Sequence, residues 1–261
     1  MIKIIVSGNN DLSNPNLLTS YLYSGKMLPV TIFCTGFLMV LPIVYCTLLE
    51  KRNITTLGIV KKDLFKNYIL GIIIGFVMFS VVYGIEYLTG SVHIDKYNGF
   101  NIWLLAFLVA FFFQSAGEEF MCRGFLLTSV GAKKSVSCAI IISSLAFSLM
   151  HLGNESFSFL ASLNIFLFGA LMALVYICSE NIWVVSGIHG IWNYAQGNIF
   201  GISVSGMNID NSIITSSQVV GKEIINGGGF GAEGGIVTTF VLLITILITI
   251  IYMKKKNKIN I

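Results

Sequence analysis

Charge is what this sequence has least of. Its 261 residues include 16 Lys and Arg and 12 Asp and Glu, 11% in all, where a soluble globular domain carries about 25%. So few charges cannot cover the surface of a soluble fold. They also exclude a disordered chain and a nucleic-acid binder built on basic patches. Proline is scarce too, with three residues, so long helices run with few breakers. Cys34, Cys46, Cys122, Cys138 and Cys178 all lie in or beside apolar runs, and no pair has CxxC spacing. That excludes a disulfide framework and is expected of free thiols packed as small hydrophobes. No cleavable signal peptide is visible, because the opening Met1–Val6 run is short and gives way to a polar stretch.

What the chain has in place of charge is apolar length. Residues of the AVILMFWYC set make up 55% and mean hydropathy is +0.84. A helix needs about 20 apolar residues to cross a bilayer. Seven segments approach that: 28–49, 68–89, 101–120, 136–152, 160–178, 182–200 and 236–253, the third continuing to about residue 130. Unpaired backbone groups are not tolerated in lipid, so the spans must be helical. The expected fold class is all-α, a polytopic helical membrane protein with about seven transmembrane helices. It forms a single membrane domain over 1–261: a helical core at 27–200, a Gly-rich loop at 201–235 and a last helix at 236–253. Lys and Arg set the orientation. With the N-terminus outside, twelve of the sixteen lie inside, among them Lys51, Arg52, Lys133, Lys134 and the Lys254–Lys258 cluster. Lys3, Lys26, Lys96 and Lys222 lie outside. The expectation is N-out, C-in. Residues 50–67 read as a cytoplasmic amphipathic link. Gly71 and Gly75 form GxxxG, a sign of close helix packing.

Ionisable residues inside membrane helices are costly and mark function by default. Between residues 101 and 200 the chain keeps Glu118, Glu119, Arg123, His151 and His189, with Asn193 beside them. Glu86 and Glu180 are lesser cases, and the third histidine, His93, falls in a polar loop. Measured from a turn near Lys133, Glu118 and His151 lie roughly 22 and 27 Å along their helices. From a turn near Ser179–Glu180, His189 and Asn193 lie roughly 15 and 20 Å deep. The four can therefore share one depth. Glu119 and Arg123 are spaced i,i+4 in the favourable order, with Glu118 pointing about 100° away, free of that pair. The ion pair alone is as well explained by structure. Two histidines, an asparagine and a spare glutamate from separate helices are better explained by function.

These residues fall into three motifs: EExxxR at 118–123, FxxxH at 147–151 and HxxxN at 189–193. In this order, on successive membrane helices, they resemble the CPBP family of CAAX prenyl proteases and bacteriocin-processing proteins, also called the ABI family, over about residues 50–200. The resemblance implies an intramembrane endopeptidase. Glu118 would activate water, His151 would hold and polarise it, and His189 and Asn193 would stabilise the oxyanion. Glu119 and Arg123 would support them, Arg123 fixing the glutamate pair. A carboxylate shielded from bulk water suits a base, and fixed donors at a developing oxyanion are each worth about 3 kcal/mol. The family has been described both as metallo- and as glutamate-dependent. With no HExxH and with asparagine an uncommon zinc ligand, the metal-free mechanism is the reading adopted, so no cofactor is required. Zinc, if bound, would draw on Glu118, His151 and His189.

The expected partners are a membrane-associated peptide or protein substrate and the lipid bilayer, with no nucleic acid. The compact composition, rich in Ile, Asn and Lys, points to a bacterial plasma membrane and to bacteriocin or pheromone maturation or self-immunity. A non-catalytic scaffold or immunity protein that binds a peptide or partner is the alternative. A transporter ranks last, since no inverted repeat is apparent. Gly229–Gly234 spells GxGxxG but lacks the strand and βαβ context of a dinucleotide site. It reads as a flexible re-entrant or gating loop, with Glu233 at its centre either facing the cavity mouth or, as the plainer reading, in a solvated turn.

Overall fold

The computed structural model describes residues 5–6, 10–11, 21–22 and 25–257. It is 71% helical. The seven expected segments are all helical. They are α1 Gly25–Leu49, α2 Leu64–Leu88, α3 Trp103–Gly131, α4 Val136–Leu149, α5 Phe159–Ser179, α6 Ile182–Tyr194 and α7 Ile236–Lys255. Five of these, α1, α2, α3, α5 and α7, are long and apolar enough to cross a membrane. The other two do not reach that length and hydropathy, each for a physical reason. Helix α4 has 14 residues, about 21 Å against a hydrocarbon core of about 30 Å. Helix α6 carries the polar motif residues, and all but one of its side chains are buried in the protein.

Outward faces of the long helices are apolar. Leu41, Leu70, Ile73, Val77, Ile244 and Ile248 are all exposed, an arrangement suited to lipid and not to water. With the apolar helices and the composition, this makes the chain an integral membrane protein.

Close packing seats α6. A Cβ on Gly71 would come within 2.2 Å of the Val184 carbonyl oxygen, one on Gly75 within 2.4 Å of the Ile188 oxygen, and one on Gly187 within 2.5 Å of the Tyr68 oxygen. The GxxxG face of α2 therefore meets α6 backbone to backbone, as small-residue helix packing allows. Gly36 of α1 and Gly117 of α3 make a similar contact, with a Cβ on Gly117 falling 2.6 Å from the Gly36 oxygen.

Local capping fixes where the inner helices begin. Ser135, Ser158 and Asn181 accept backbone N–H groups from Cys138, Ala161 and Trp183 at the starts of α4, α5 and α6. The 50–63 link binds the same end of the bundle as the α5–α6 turn: Gly58 O accepts from Ile182 N and Val60 O accepts from Trp183 Nε1, both at 3.0 Å. Arg52 donates to Thr128 and Ser129 at the end of α3.

Elsewhere a short ribbon pairs β1 Ile5–Val6 with β2 Asn10–Asp11, and a second antiparallel ribbon pairs β3 Val92–Tyr97 with β4 Ile214–Gln218. His93, expected in a loop, is an exposed residue of β3. The five cysteines are free thiols.

Replacing Gly75 by Leu is expected to destabilise the fold by about 2 kcal/mol or more, because overpacking here meets backbone. Thermal unfolding in detergent should show a clearly lowered Tm, whereas Gly84→Ala, with open space around it, should leave Tm nearly unchanged. Equal stability of the Gly75→Leu protein would contradict backbone-to-backbone packing of α2 on α6.

Candidate functional site

The motif residues meet between α3, α4, α5 and α6. Helix α3 delivers Glu118 and Glu119, then widens into a π-helical turn over Phe120–Leu127 that carries Arg123. Such turns often accompany functional sites. Arg123 is fully buried. It donates from Nη1 to Glu119 Oε1 at 3.2 Å and from Nη2 to the Gly169 carbonyl on α5 at 3.0 Å, and its guanidinium lies 4.5 Å from the Phe147 ring centre. A buried guanidinium needs such partners to offset desolvation.

Glu119 does more than pair with Arg123. The same oxygen, Oε1, lies 2.9 Å from His189 Nδ1. A carboxylate oxygen accepts, so Nδ1 carries the proton and Nε2 is left on the far side of the ring. There Glu118 Oε2 stands 3.9 Å away. His189 thus sits between the two glutamates. Arg123 was expected to fix both glutamates; among the described residues its hydrogen bonds go to Glu119 and to the Gly169 carbonyl.

Glu118 is held instead by Gln114, one helical turn earlier, whose Nε2 donates to Oε1. Gln114 Oε1 in turn accepts from Asn193 Nδ2 at 3.3 Å. This glutamine is the member of the cluster that the motif reading missed. Its only sequence signal is an amide four residues before a glutamate within an otherwise apolar run. Glu118 Oε2 is buried and has no hydrogen-bond partner among the described residues.

His151 lies two residues past the end of α4, not within it. Its Nδ1 is 2.9 Å from the Phe147 carbonyl. A carbonyl can only accept, so Nδ1 is the protonated nitrogen and Nε2 is free. His151 and His189 both pack against Phe147, with ring centres 5.0 and 5.7 Å away.

Two cavities border the cluster. The larger, about 870 Å³, is walled by Gln114, Glu118, His151 and Asn193, by Ile32 and Leu38 of α1, and by the 204–208 turn. That is a volume typical of ligand sites. The smaller, about 20 Å³, lies among His151, His189, Trp192, Asn164, Ser205 and Glu233. Glu233 is therefore no solvated residue. Its Oε1 accepts from Trp192 Nε1 at 3.2 Å, and its Oε2 accepts from Ser205 N at 2.9 Å and Ser205 Oγ at 2.6 Å. Asn164 of α5 donates to the Glu233 and Gly235 carbonyls. The Gly-rich segment, expected as a flexible loop, is a built wall of the site.

Among the described residues, no three His, Cys, Asp or Glu side chains could hold a metal ion. Glu86, in α2, is fully buried, and neither carboxylate oxygen has a hydrogen-bond partner among the described residues.

A polar cluster of carboxylates, imidazoles and amides, beside a large cavity in an integral membrane helix bundle, defines the class: a polytopic membrane protein with a buried polar site among its helices. Residues 100–195 match the model of the family described as Type II CAAX prenyl endopeptidase Rce1-like. The resemblance read from the motifs is borne out over the stretch that contains all three of them. The match is narrower than the 50–200 span expected. This is a protease family, and the match supports a membrane peptidase. No curated protein matches the chain.

Removing Arg123 strands the Glu119 carboxylate in the protein interior. Arg123→Ala is expected to cost about 3 kcal/mol or more, read by denaturant unfolding in mixed micelles. Arg123→Lys should recover part of the loss, since a point charge can still meet Glu119 but lacks the fork that also reaches Gly169. Wild-type stability in Arg123→Ala would contradict a paired, buried guanidinium.

Proposed function

We propose that this protein is an intramembrane endopeptidase that hydrolyses a peptide bond of a membrane-associated peptide or protein through a water activated by Glu118, without a metal. The observation that carries this reading is the buried Glu118 oxygen, unpartnered among the described residues, at the wall of the 870 Å³ cavity.

The residues divide the work. Substrate enters the large cavity, where a water between the scissile carbonyl and Glu118 Oε2 loses a proton to that oxygen as it attacks the carbonyl carbon. His151, with Nδ1 committed to Phe147 O, offers Nε2 to hold the same water. The carbonyl oxygen becomes an oxyanion facing Asn193 Nδ2, which has a second hydrogen beyond the one given to Gln114. His189, its Nδ1 committed to Glu119 Oε1, presents Nε2 on the side of Glu118 and the developing oxyanion. Collapse of the intermediate breaks the C–N bond, and Glu118 returns its proton to the leaving amine. The products are a carboxylic acid and an amine. Gln114 and Glu119 are positioning groups that aim Glu118 and His189.

Among the described residues the large cavity is lined by two carboxylates, Glu118 and Glu155, and by no lysine or arginine. With no fixed cation there to seize a terminal carboxylate, cleavage within a chain is favoured over trimming from its end. We place the protein in a bacterial plasma membrane, N-out and C-in, from its charge distribution. Bacteriocin or pheromone maturation or self-immunity is the role assigned. A non-catalytic scaffold is the alternative if the chemistry fails its test.

The test uses purified protein in proteoliposomes with internally quenched prenylated CAAX peptides and quenched membrane-spanning peptides. Glu118→Gln preserves shape and is expected to lower hydrolysis by about a thousandfold or more, and Asn193→Ala by about a hundredfold. Full activity in Glu118→Gln and His189→Ala at equal protein level would overturn the peptidase reading and favour the scaffold. Chelation is expected to leave the rate unchanged. Stoichiometric zinc lost together with activity would overturn the metal-free mechanism.

A further inference from the structure

Glu233 lies outside all three motifs and outside the matched segment, yet its carboxylate joins two parts of the site that otherwise come from different regions of the chain. One oxygen holds Trp192, the residue just before Asn193 on α6, three after His189. The other holds Ser205, in the turn that walls the large cavity. Both anchors are otherwise well defined. Trp192 is 1% exposed, packed edge-on to Phe79 at 5.1 Å and tilted against Phe168 at 5.4 Å. Its indole N–H is a donor that must find an acceptor when buried.

The 203–207 turn is strained. Ser205 has φ +47° and Gly206 φ +87°, a left-handed pair that is unfavourable for the serine. Such backbone persists only where surroundings hold it. Here Asn154 Nδ2 donates to Ser205 O, Gly206 N donates to Phe230 O, and Glu233 takes both the N–H and the hydroxyl of Ser205. Glu233 also lines the 20 Å³ chamber beside His151 and His189, a space sufficient for one water among several polar groups.

We propose that Glu233 is a positioning residue of the peptidase site. It holds the substrate-side turn at Ser205 in register with the helix that carries His189 and Asn193. This rests on the peptidase reading above and adds a residue to it. The two oxygens have separable duties. Through Trp192, Glu233 acts on the chemical step. Through Ser205, it acts on substrate binding.

The Gln variant separates them. In Glu233→Gln the amide oxygen still accepts from Trp192, since an indole N–H cannot accept from an NH2 group. The amide nitrogen can donate to Ser205 Oγ but cannot receive Ser205 N–H. Hydrogen exchange of residues 203–207 in the micellar protein, without substrate, is read alongside steady-state hydrolysis of the quenched prenylated peptide. Glu233→Gln should raise KM about tenfold, as expected for one lost bond to a charged acceptor, hold kcat within about twofold, and speed exchange at Ser205. Trp192→Phe should lower kcat about tenfold with KM little changed and exchange at Ser205 as in wild type. Glu233→Ala should show both effects. If Glu233→Ala fails to fold, the other two variants still decide. Wild-type exchange at 203–207 in Glu233→Gln, or an equal fall in kcat without the split in all variants, overturns the proposal. The exchange readout needs no turnover, so its failure is distinct from failure of the Glu118→Gln test.

Discussion

One carboxylate oxygen governs the centre of this protein. Oε1 of Glu119 accepts from Arg123 Nη1 and from His189 Nδ1. Arg123 in turn reaches α5 through the Gly169 carbonyl. Three helices, α3, α5 and α6, are therefore tied through a junction that is fully buried at Glu119 and Arg123. In a medium where neither water nor lipid can solvate a charge, such groups survive only by finding each other. The consequence for the site is orientation. With Nδ1 engaged, the His189 ring can offer only Nε2, and it offers it toward Glu118.

The rest of the bundle makes that junction reachable. Helix α6 is short, carries Ser186, His189 and Asn193 on one face and is buried nearly throughout, so packing against its neighbours must hold it in place. Glycines supply that packing. Gly71, Gly75 and Gly187 let α2 and α6 backbones touch, and close approach brings dispersion contacts that do not depend on water. The large cavity then forms where α1, the end of α4 and the 204–208 turn fail to close over Gln114, Glu118 and Asn193. Hydrolysis within a bilayer requires such an opening, because both water and an extended peptide must reach one carboxylate.

Much of this was legible in the sequence, for a simple reason. Charges are so scarce that Glu118, Glu119, Arg123, His151 and His189 stand out against the apolar runs, and the runs themselves mark the helices. What was not legible is which partner each group takes. Helical spacing relates Glu119 to Arg123 but says nothing of His189, seventy residues away. It leaves Glu118 free, whereas Gln114 holds it, a glutamine indistinguishable by pattern from a stray polar residue. Five of the seven expected spans meet the length and hydropathy of a crossing helix; α4 is short and α6 carries the polar motif residues. The Gly-rich segment is the least legible part. A run of glycines with one glutamate looks like a solvated loop. Its capture by Asn164, Trp192 and Ser205 is a tertiary event that no local pattern encodes.

The central claim is that Glu119 fixes the His189 ring with its proton on Nδ1. Nitrogen-15 magnetic resonance of the histidine-labelled protein in lipid, with His189 assigned by substitution, tests it most directly. The account predicts a protonated, hydrogen-bonded Nδ1 on His189 whose signal shifts in Glu119→Gln and is nearly unmoved in His151→Gln. A His189 ring protonated at Nε2 alone, or one indifferent to Glu119→Gln, would contradict it.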